Sequence, residues 1–369
     1  MAKIKYYTLD RILKENANYY MIIGERSNGK TFSVEKYCLK DFCKNGRQMA
    51  LIRRWGDDFT GKRGQQMFDA LVNNGLVEKY TDGKWNNIYY YSARWYLSKW
   101  DNDKGKLIRD EKPFCYAFSL NAGEHDKSTS YPNVYNILFD EFITRQMYLT
   151  DEFVLFQNTI STIVRERNAD DFKIFMCGNT VNKYCPYFTE MGLTNIRAME
   201  KDQIQVYQYG EEHARVAVEY ASMPAKSKKS DKLFAFNNPK LKMITEGKWE
   251  IAIYPLLPVK YTKKNVLLTY FIQFMENIVQ CEIIQVGNNI FTYIHAKTSP
   301  YKQPEKDIIF SCDYNPLPNW RRRITKPYDE IGKKIYSFFI LEKVFYQNNE
   351  IGEVVRNYLN WSKEDKGIT

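Results

Sequence analysis

Gly24-Glu25-Arg26-Ser27-Asn28-Gly29-Lys30-Thr31 fits the spacing GxxxxGK[ST]. Each residue type has a physical job at its position. Glycines let backbone N–H groups curl round a phosphate, lysine neutralises the β and γ oxygens, and the terminal hydroxyl binds Mg²⁺. The flanks supply the context that the motif needs. Tyr19-Tyr20-Met21-Ile22-Ile23 is a strand-sized apolar run ended by Gly24, and after Thr31 the apolar positions Val34, Tyr37, Cys38 and Phe42 recur at helical spacing. Strand, glycine-rich loop and helix together predict a phosphate-binding P-loop. The candidate nucleotide ligands are Gly24, Arg26, Ser27, Asn28, Gly29, Lys30 and Thr31.

A second half is expected downstream, where a buried strand must end in an acid. Asn136-Ile137-Leu138-Phe139-Asp140-Glu141 has that form. Asp140 can reach the Mg²⁺ that Thr31 holds, and Glu141 suits a base that polarises an attacking water. The added glutamate points to ATP hydrolysis in the additional-strand class of P-loop ATPases. A GTPase would want an NKxD guanine reader, and Asn182-Lys183-Tyr184-Cys185 carries cysteine where the acid belongs. Gly178-Asn179-Thr180 follows a further strand, Lys173 to Cys177; Asn179 is either a γ-phosphate sensor or part of a plain turn. A helix capped by Thr150, with Asp151 and Glu152 in its first turn, leads to Arg165 and Arg167. These complement the helix dipole or reach a neighbour's γ-phosphate as fingers.

Working outward, the first half alternates strands with helices. Met49 to Ile52 is a second buried strand, and Trp85 to Trp95 with Asp101-Asn102-Asp103-Lys104-Gly105 reads as hairpin structure. The alternation predicts an α/β domain with a parallel sheet over residues 1–205. Residues 206–250 are read as a linker region, polar and Lys/Ser-rich from Ala221 to Asn238. A smaller α+β domain follows over 251–369, with strands at Cys281–Val286 and Ile290–Ile294 and a helix from Ile331 to Phe345.

The chain has 369 residues, 44% of them apolar, and a net charge of +10. Two domains at about 150 residues each suit that length. The charge leans toward a polyanionic partner. No run approaches the ~20 apolar residues of a membrane span, and the first residues lack a signal-peptide core. Seven cysteines, never spaced CxxC, and three histidines make a zinc site or disulfide framework unexpected. The expectation is a soluble intracellular protein.

Tyr131-Pro132-Asn133-Val134, running into Leu138-Phe139-Asp140-Glu141-Phe142, resembles the φ29-like bacteriophage DNA-packaging ATPases, the encapsidation proteins. Smaller patches agree in order: Asp10-Arg11-Ile12-Leu13, Ile52-Arg53-Arg54 and Pro186-Tyr187-Phe188. The resemblance covers roughly residues 8 to 190. It implies a RecA-like ATPase domain followed by a vestigial, non-cleaving RNase H-like nuclease domain. It also implies a homomeric ring, usually of five subunits, at the portal of an empty capsid in the infected bacterial cytoplasm. That ring pumps double-stranded DNA inward with ATP and Mg²⁺, and a structural RNA joins portal and ATPase in φ29. Carried over by position, Lys30 and Thr31 bind nucleotide and, with Asp140, Mg²⁺. Glu141 is the catalytic glutamate. Arg165 and Arg167 lie in the arginine-finger segment, and Lys127 lies near a trans-acting lysine.

The loss of cleavage has support in the residues themselves. A two-metal nuclease needs about three converging carboxylates, and between Ile251 and Arg323 only Glu282 and Asp313 lie on or beside strand-like runs. Arg321-Arg322-Arg323 either binds phosphate or forms a solvated charge run. The expected activity is ATP-driven translocation of viral DNA. Its rivals are another ring ATPase, such as a helicase, and a non-hydrolysing assembly protein.

Overall fold

The computed structural model describes residues 6–122, 130–165, 167–168, 171–211, 214–222, 249 and 252–365. The chain divides into two compact units, Met1–Glu250 and Ile251–Thr369.

In the first unit, β1 (Tyr19–Gly24) leads through the glycine-rich loop into α1 (Lys30–Asn45), followed by β2 (Gln48–Arg53). Three short helices, α2 (Gly61–Gln66), α3 (Asp69–Asn73) and α4 (Leu76–Tyr80), precede β3 (Asn87–Tyr91), β4 (Arg94–Asp101), β5 (Lys106–Arg109) and β6 (Cys115–Ser119). Then come β7 (Val134–Asp140), α5 (Glu152–Val164), β8 (Lys173–Asn179), α6 (Pro186–Glu190), β9 (Ile204–Tyr209) and β10 (Ala214–Ala221).

The strands form one ten-stranded sheet in the order β3-β4-β6-β2-β7-β8-β1-β10-β9, with β5 on β4. Its six middle strands are parallel. Such strands are buried on both faces, which is why they read as continuous apolar runs. Alternate residues of β1 show this directly: Met21 and Ile23 enter one core, Tyr20 and Ile22 the other. Helix α1 closes the second core with Val34, Cys38, Leu39 and Phe42; α5 closes the first with Phe156, Ile160 and Ile163. One strand, β8, separates the P-loop strand β1 from the acid-bearing β7. That is the additional-strand arrangement expected from Glu141.

Three sequence expectations need correction. The linker does not begin at 206, because β9 and β10 belong to the sheet and β10 pairs in parallel with β1 from Tyr19↔Val216 to Gly24↔Ala221. Val216, Ala217 and Val218 are buried there, and the polar composition that suggested a connector starts only beyond Ala221. Residues 223–248 lie outside the described residues. Helix α5 is capped by Asp151 at φ 52°, not by Thr150, and the Glu152 carboxylate takes the Leu149 N–H at 2.8 Å. In the second unit the helix expected over Ile331–Phe345 stops at Ile340. Glu342 turns left-handed at φ 56°, and Val344–Tyr346 pairs as a strand.

The second unit holds a six-stranded mixed sheet. β11 (Val266–Phe274), β12 (Asn277–Val286) and β13 (Asn289–Ala296) form an antiparallel meander. β14 (Ile308–Ser311) and β15 (Trp320–Arg321) add in parallel beside β11, and β16 (Val344–Tyr346) adds beside β13. Helices α7 (Glu330–Ile340) and α8 (Asn349–Glu364) are capped by the side chains of Asp329 and Asn348. A meander extended by two parallel strands on the side of its first member is the arrangement expected of an RNase H-like unit. Among the described residues, no helix of the chain is long and apolar enough to cross a membrane.

Candidate nucleotide site

The carboxyl ends of β1, β7 and β8 converge on a cavity of about 370 Å³ lined by the P-loop, Asp140, Glu141 and Asn179. Gly24 is required by close approach: a Cβ there would lie 2.2 Å from the Ala221 carbonyl oxygen. Gly29 starts α1 at φ 91°, a left-handed conformation that favours glycine. Lys30 Nζ donates to the Glu25 carbonyl at 2.5 Å, to Asn28 Oδ1 at 3.1 Å and to Asn179 Oδ1 at 3.2 Å. Burial pushes its ammonium down to about 8, against the opposing pull of Asp140 and Glu25.

Thr31 Oγ1 donates to Asp140 Oδ1 at 2.8 Å. The two halves of the motif, 109 residues apart in sequence, therefore meet where a cation would bridge them. Burial raises the Asp140 pKa, and the adjacent Arg53 guanidinium opposes that rise. Arg53, at the end of β2, donates to Asp140 Oδ2 at 2.7 Å and pairs with Glu141 Oε2 at 2.8 Å. Burial works against the Arg53 charge, yet Asp140 and Glu141 outweigh it and raise its pKa. Glu141 itself is exposed and sits at φ 59°, which turns its carboxylate off the strand and toward the cavity.

Beneath Glu141 lies a buried ion pair. Arg54 binds both Glu152 oxygens, at 2.6 and 2.8 Å, and donates to the Phe142 carbonyl at 2.9 Å. Tyr187 adds a hydroxyl bond to Glu152 at 2.9 Å. This network ties the loop after β7 to α5. Sequence reading found Arg53-Arg54 as a patch and gave it no role, since neither distance is visible in a linear motif. It also missed Glu35, one turn after Thr31, whose carboxyl burial raises well above the ordinary range, with Asp140 adding to the effect.

The donor set fits a nucleotide phosphate. Asn28 Nδ2 is buried among the P-loop atoms without a hydrogen-bond partner, and Lys30 presents an ammonium held only by neutral oxygens. Thr31 and Asp140 fit Mg²⁺ as hydroxyl and carboxylate oxygens. Arg26 and Ser27 form an exposed lip of the cavity.

The remaining candidates lie elsewhere. Lys127 falls outside the described residues. Arg167 donates to the carbonyls of Ile163, Pro132 and Val134 at 2.6, 2.9 and 2.8 Å, and its guanidinium lies 4.4 Å from the Phe172 ring centroid. Val134 opens β7 and Asp140 closes it, so Arg167 sits about 20 Å from its own subunit's acid, at ~3.3 Å per strand residue. Arg165 is exposed at the C-terminal end of α5, with no side-chain hydrogen bond or ion pair among the described residues.

In the second unit Gln273 on β11 donates to Asp313 Oδ2 at 3.1 Å and accepts from the Tyr301 hydroxyl at 3.0 Å. No group of three or more His, Cys, Asp or Glu side chains able to hold a metal occurs among the described residues. Arg321 is clamped on Asp329 at 2.7 Å, and Arg322 on Asp365 at 2.9 Å. Arg323 also lies 3.9 Å from Asp365, so all three members of the triple-arginine run are tied to acids and none is a free phosphate reader.

The model of the podovirus DNA encapsidation protein (Gp16) family matches residues 1–209, more than half of the chain. The chain belongs to that family. The DNA packaging protein of Bacillus phage phi29 is 26% identical over 191 residues, covering 51% of this chain and 50% of the relative. That of Bacillus phage B103 is 27% identical over 187 residues, covering 50% and 49%. This encapsidation-family chain therefore spans about half the length of the curated relatives it matches. Two solved structures resemble it across nearly its whole length. They are the phi-29 genome packaging motor assembly (TM-score 0.52, 19% identity, 98% of this chain and 99% of that one) and the phi-28 packaging motor (TM-score 0.51, 19% identity, 99% of each). At those identities the likeness shows the fold: an α/β P-loop ATPase fold with an α+β unit after it.

Proposed function

We propose that this chain is the ATPase of a genome-packaging motor, hydrolysing ATP in a homomeric ring to drive double-stranded DNA into a preformed capsid. The observation that carries the reading is the Thr31–Asp140 contact, with Glu141 beside it at the mouth of the same cavity. In this reading the P-loop N–H groups, Asn28 and Lys30 hold the phosphates, while Thr31 and Asp140 hold Mg²⁺. The metal supplies charge neutralisation on the β and γ oxygens. Glu141 orients and deprotonates the lytic water. Arg53 holds Glu141 Oε2 at 2.8 Å, so that contact must open before the carboxylate can take up the water. Asn179, already bonded to Lys30, senses the γ-phosphate.

Of the two arginines, Arg165 is the one left to act. Arg167 spends its donors on four backbone carbonyls, whereas Arg165 ends α5 exposed. Arg165 therefore serves the active site of a neighbouring subunit, and Lys127 joins it there on the strength of the family resemblance. The partners are double-stranded DNA, the capsid portal and, as in φ29, a structural RNA; the ring is a pentamer. The C-terminal unit does not cleave DNA, because the Gln273–Asp313 pair brings one carboxylate where two metals need about three.

ATP turnover measured with double-stranded DNA and portal-bearing capsids tests this reading. Turnover that rises when both are added supports it. Strand separation by the pure protein would instead make it a helicase, and absence of turnover under every condition would make it a structural assembly protein.

A further inference from the structure

The antiparallel end of the first sheet carries a face that the nucleotide reaction does not use. Cross-strand pairs Tyr89↔Tyr96, Tyr91↔Arg94, Ser98↔Arg109 and Trp100↔Leu107 place Tyr89, Tyr91, Arg94, Tyr96, Trp100 and Arg109 on one side of β3, β4 and β5. The opposite side is core, with Trp95 and Leu97 buried; on the outer side Tyr96 and Ser98 are buried too, and the open rings are those of Tyr91 and Trp100. On the outer side Tyr91 is 56% exposed and Trp100 59% exposed, two large rings on one face of the sheet. Tyr89 and Tyr91 stand parallel within 10°, their centroids 6.4 Å apart. Arg109 reaches across β4, with its guanidinium 4.3 Å from the Tyr96 centroid and 5.2 Å from that of Tyr91. Arg94 caps Tyr116 at 5.7 Å. The single carboxylate in the three strands, Asp101, falls on the other side and bonds back to the N–H groups of Asp103 and Lys104.

We propose that this face binds a single-stranded DNA segment, with unpaired bases stacking on the exposed Tyr91 and Trp100 rings and Arg94 and Arg109 meeting its phosphates. Flat rings beside arginine, free of carboxylate, are complementary to a polyanion whose base faces are open. A duplex hides those faces, so the rings would find nothing to stack on. The strand is taken as DNA because this inference rests on the proposed DNA-packaging function.

The site is separate from the P-loop cavity and is measured without nucleotide. Fluorescence anisotropy of a labelled 20-nucleotide oligothymidine, titrated with the full chain, should report binding. The double variant Tyr91→Ala/Trp100→Ala should weaken it tenfold or more, with thermal unfolding and basal ATP turnover unchanged, since both rings are exposed. Trp100→Phe, in the parent background, should keep most of the affinity. Equal binding by parent and double variant would overturn the proposal, as would no binding by the parent. Tighter binding of oligouridine, or of a duplex, would overturn the single-stranded DNA assignment. Loss of capsid association by the double variant, without loss of oligonucleotide affinity, would make the face a protein interface instead.

Discussion

Both units set polar side chains at the ends of adjacent strands, and they use them in opposite ways. In the first, Asp140 and Glu141 at the end of β7 meet Thr31, Arg53 and a lysine whose charge burial disfavours. In the second, Gln273 on β11 and Asp313 beyond β14 bond to each other, with Tyr301 completing the glutamine. One group of residues holds donors that an anion would complete; the other has closed on itself. A strand-end carboxylate is therefore no sign of chemistry until its partners are counted.

The largest effect should separate the two ends outright. Glu141→Gln keeps size and loses charge, so ATP should still bind while turnover falls by ~10³ or more. Asp313→Asn should change neither turnover nor DNA integrity with Mg²⁺ or Mn²⁺. Metal-dependent cutting by the parent that Asp313→Asn abolished would erase the distinction, and so would near-parental turnover by Glu141→Gln.

A second contrast concerns stability. Arg54 and Glu152 form a buried bidentate pair, and truncating one partner strands the other's charge, at a cost of about 3–5 kcal/mol. Arg54→Ala should show that loss in denaturant unfolding of the first unit. A change below ~1 kcal/mol would mean water replaces the guanidinium.

In the second unit Glu282 accepts from the Tyr261 hydroxyl and lies 3.8 Å from His295. The ion pair with His295, reinforced by hydrogen bonds from Tyr261 and Gln280, holds its carboxyl down at about 2, below the usual 4.5. A depressed carboxylate contributes stability above its unfolded value, lost as pH falls from about 4.5 toward 2. Screening by solvent at this half-buried site keeps that to about 1–2 kcal/mol. Glu282→Gln should flatten this acid limb in pH-dependent unfolding, and an unchanged limb would assign it to other acids.

The smallest effect is a proton count. Lys30 is lowered to about 8, so between 8 and its unfolded 10.5 the unfolded chain binds more protons, and nucleotide-free stability from this group rises with pH there. A bound polyphosphate should restore the charge, so nucleotide binding near pH 9 should take up most of one proton. Calorimetry in buffers of different ionisation enthalpy reads that uptake; none at pH 9 would place the ammonium fully charged beforehand.

Much of this was legible in sequence because the parallel strands are buried on both faces. Tyr19–Ile23 and Met49–Ile52 are apolar without interruption, Val134–Phe139 is broken only by Asn136, and P-loop and strand-end acid announce themselves by spacing. The missed features are those decided by tertiary contact. β9 and β10 were hidden because β9 buries nothing fully, Val206 and Gln208 being exposed and the rest half-buried, and a connector-like composition follows β10. The turn between β3 and β4 uses Ser92 and Ala93 at φ 50° and 57°, with no glycine to mark it. Arg53, Arg54 and Arg167 differ from Arg165 only in what they touch, and sequence cannot show touch.

The most direct test of the central claim mixes two nearly inactive preparations, Arg165→Ala and Glu141→Gln, and measures ATP turnover with double-stranded DNA. In a mixed ring some interfaces combine an intact Glu141 with a neighbour's intact arginine. The account predicts turnover well above either parent preparation, with Arg165→Ala alone reduced ~10³-fold or more while ATP binding persists. Arg167→Ala should instead lose stability and show no such recovery when mixed. If native mass measurements confirm mixed rings and turnover stays at the level of the separate variants, the neighbour's arginine does not complete this site, and the account is contradicted.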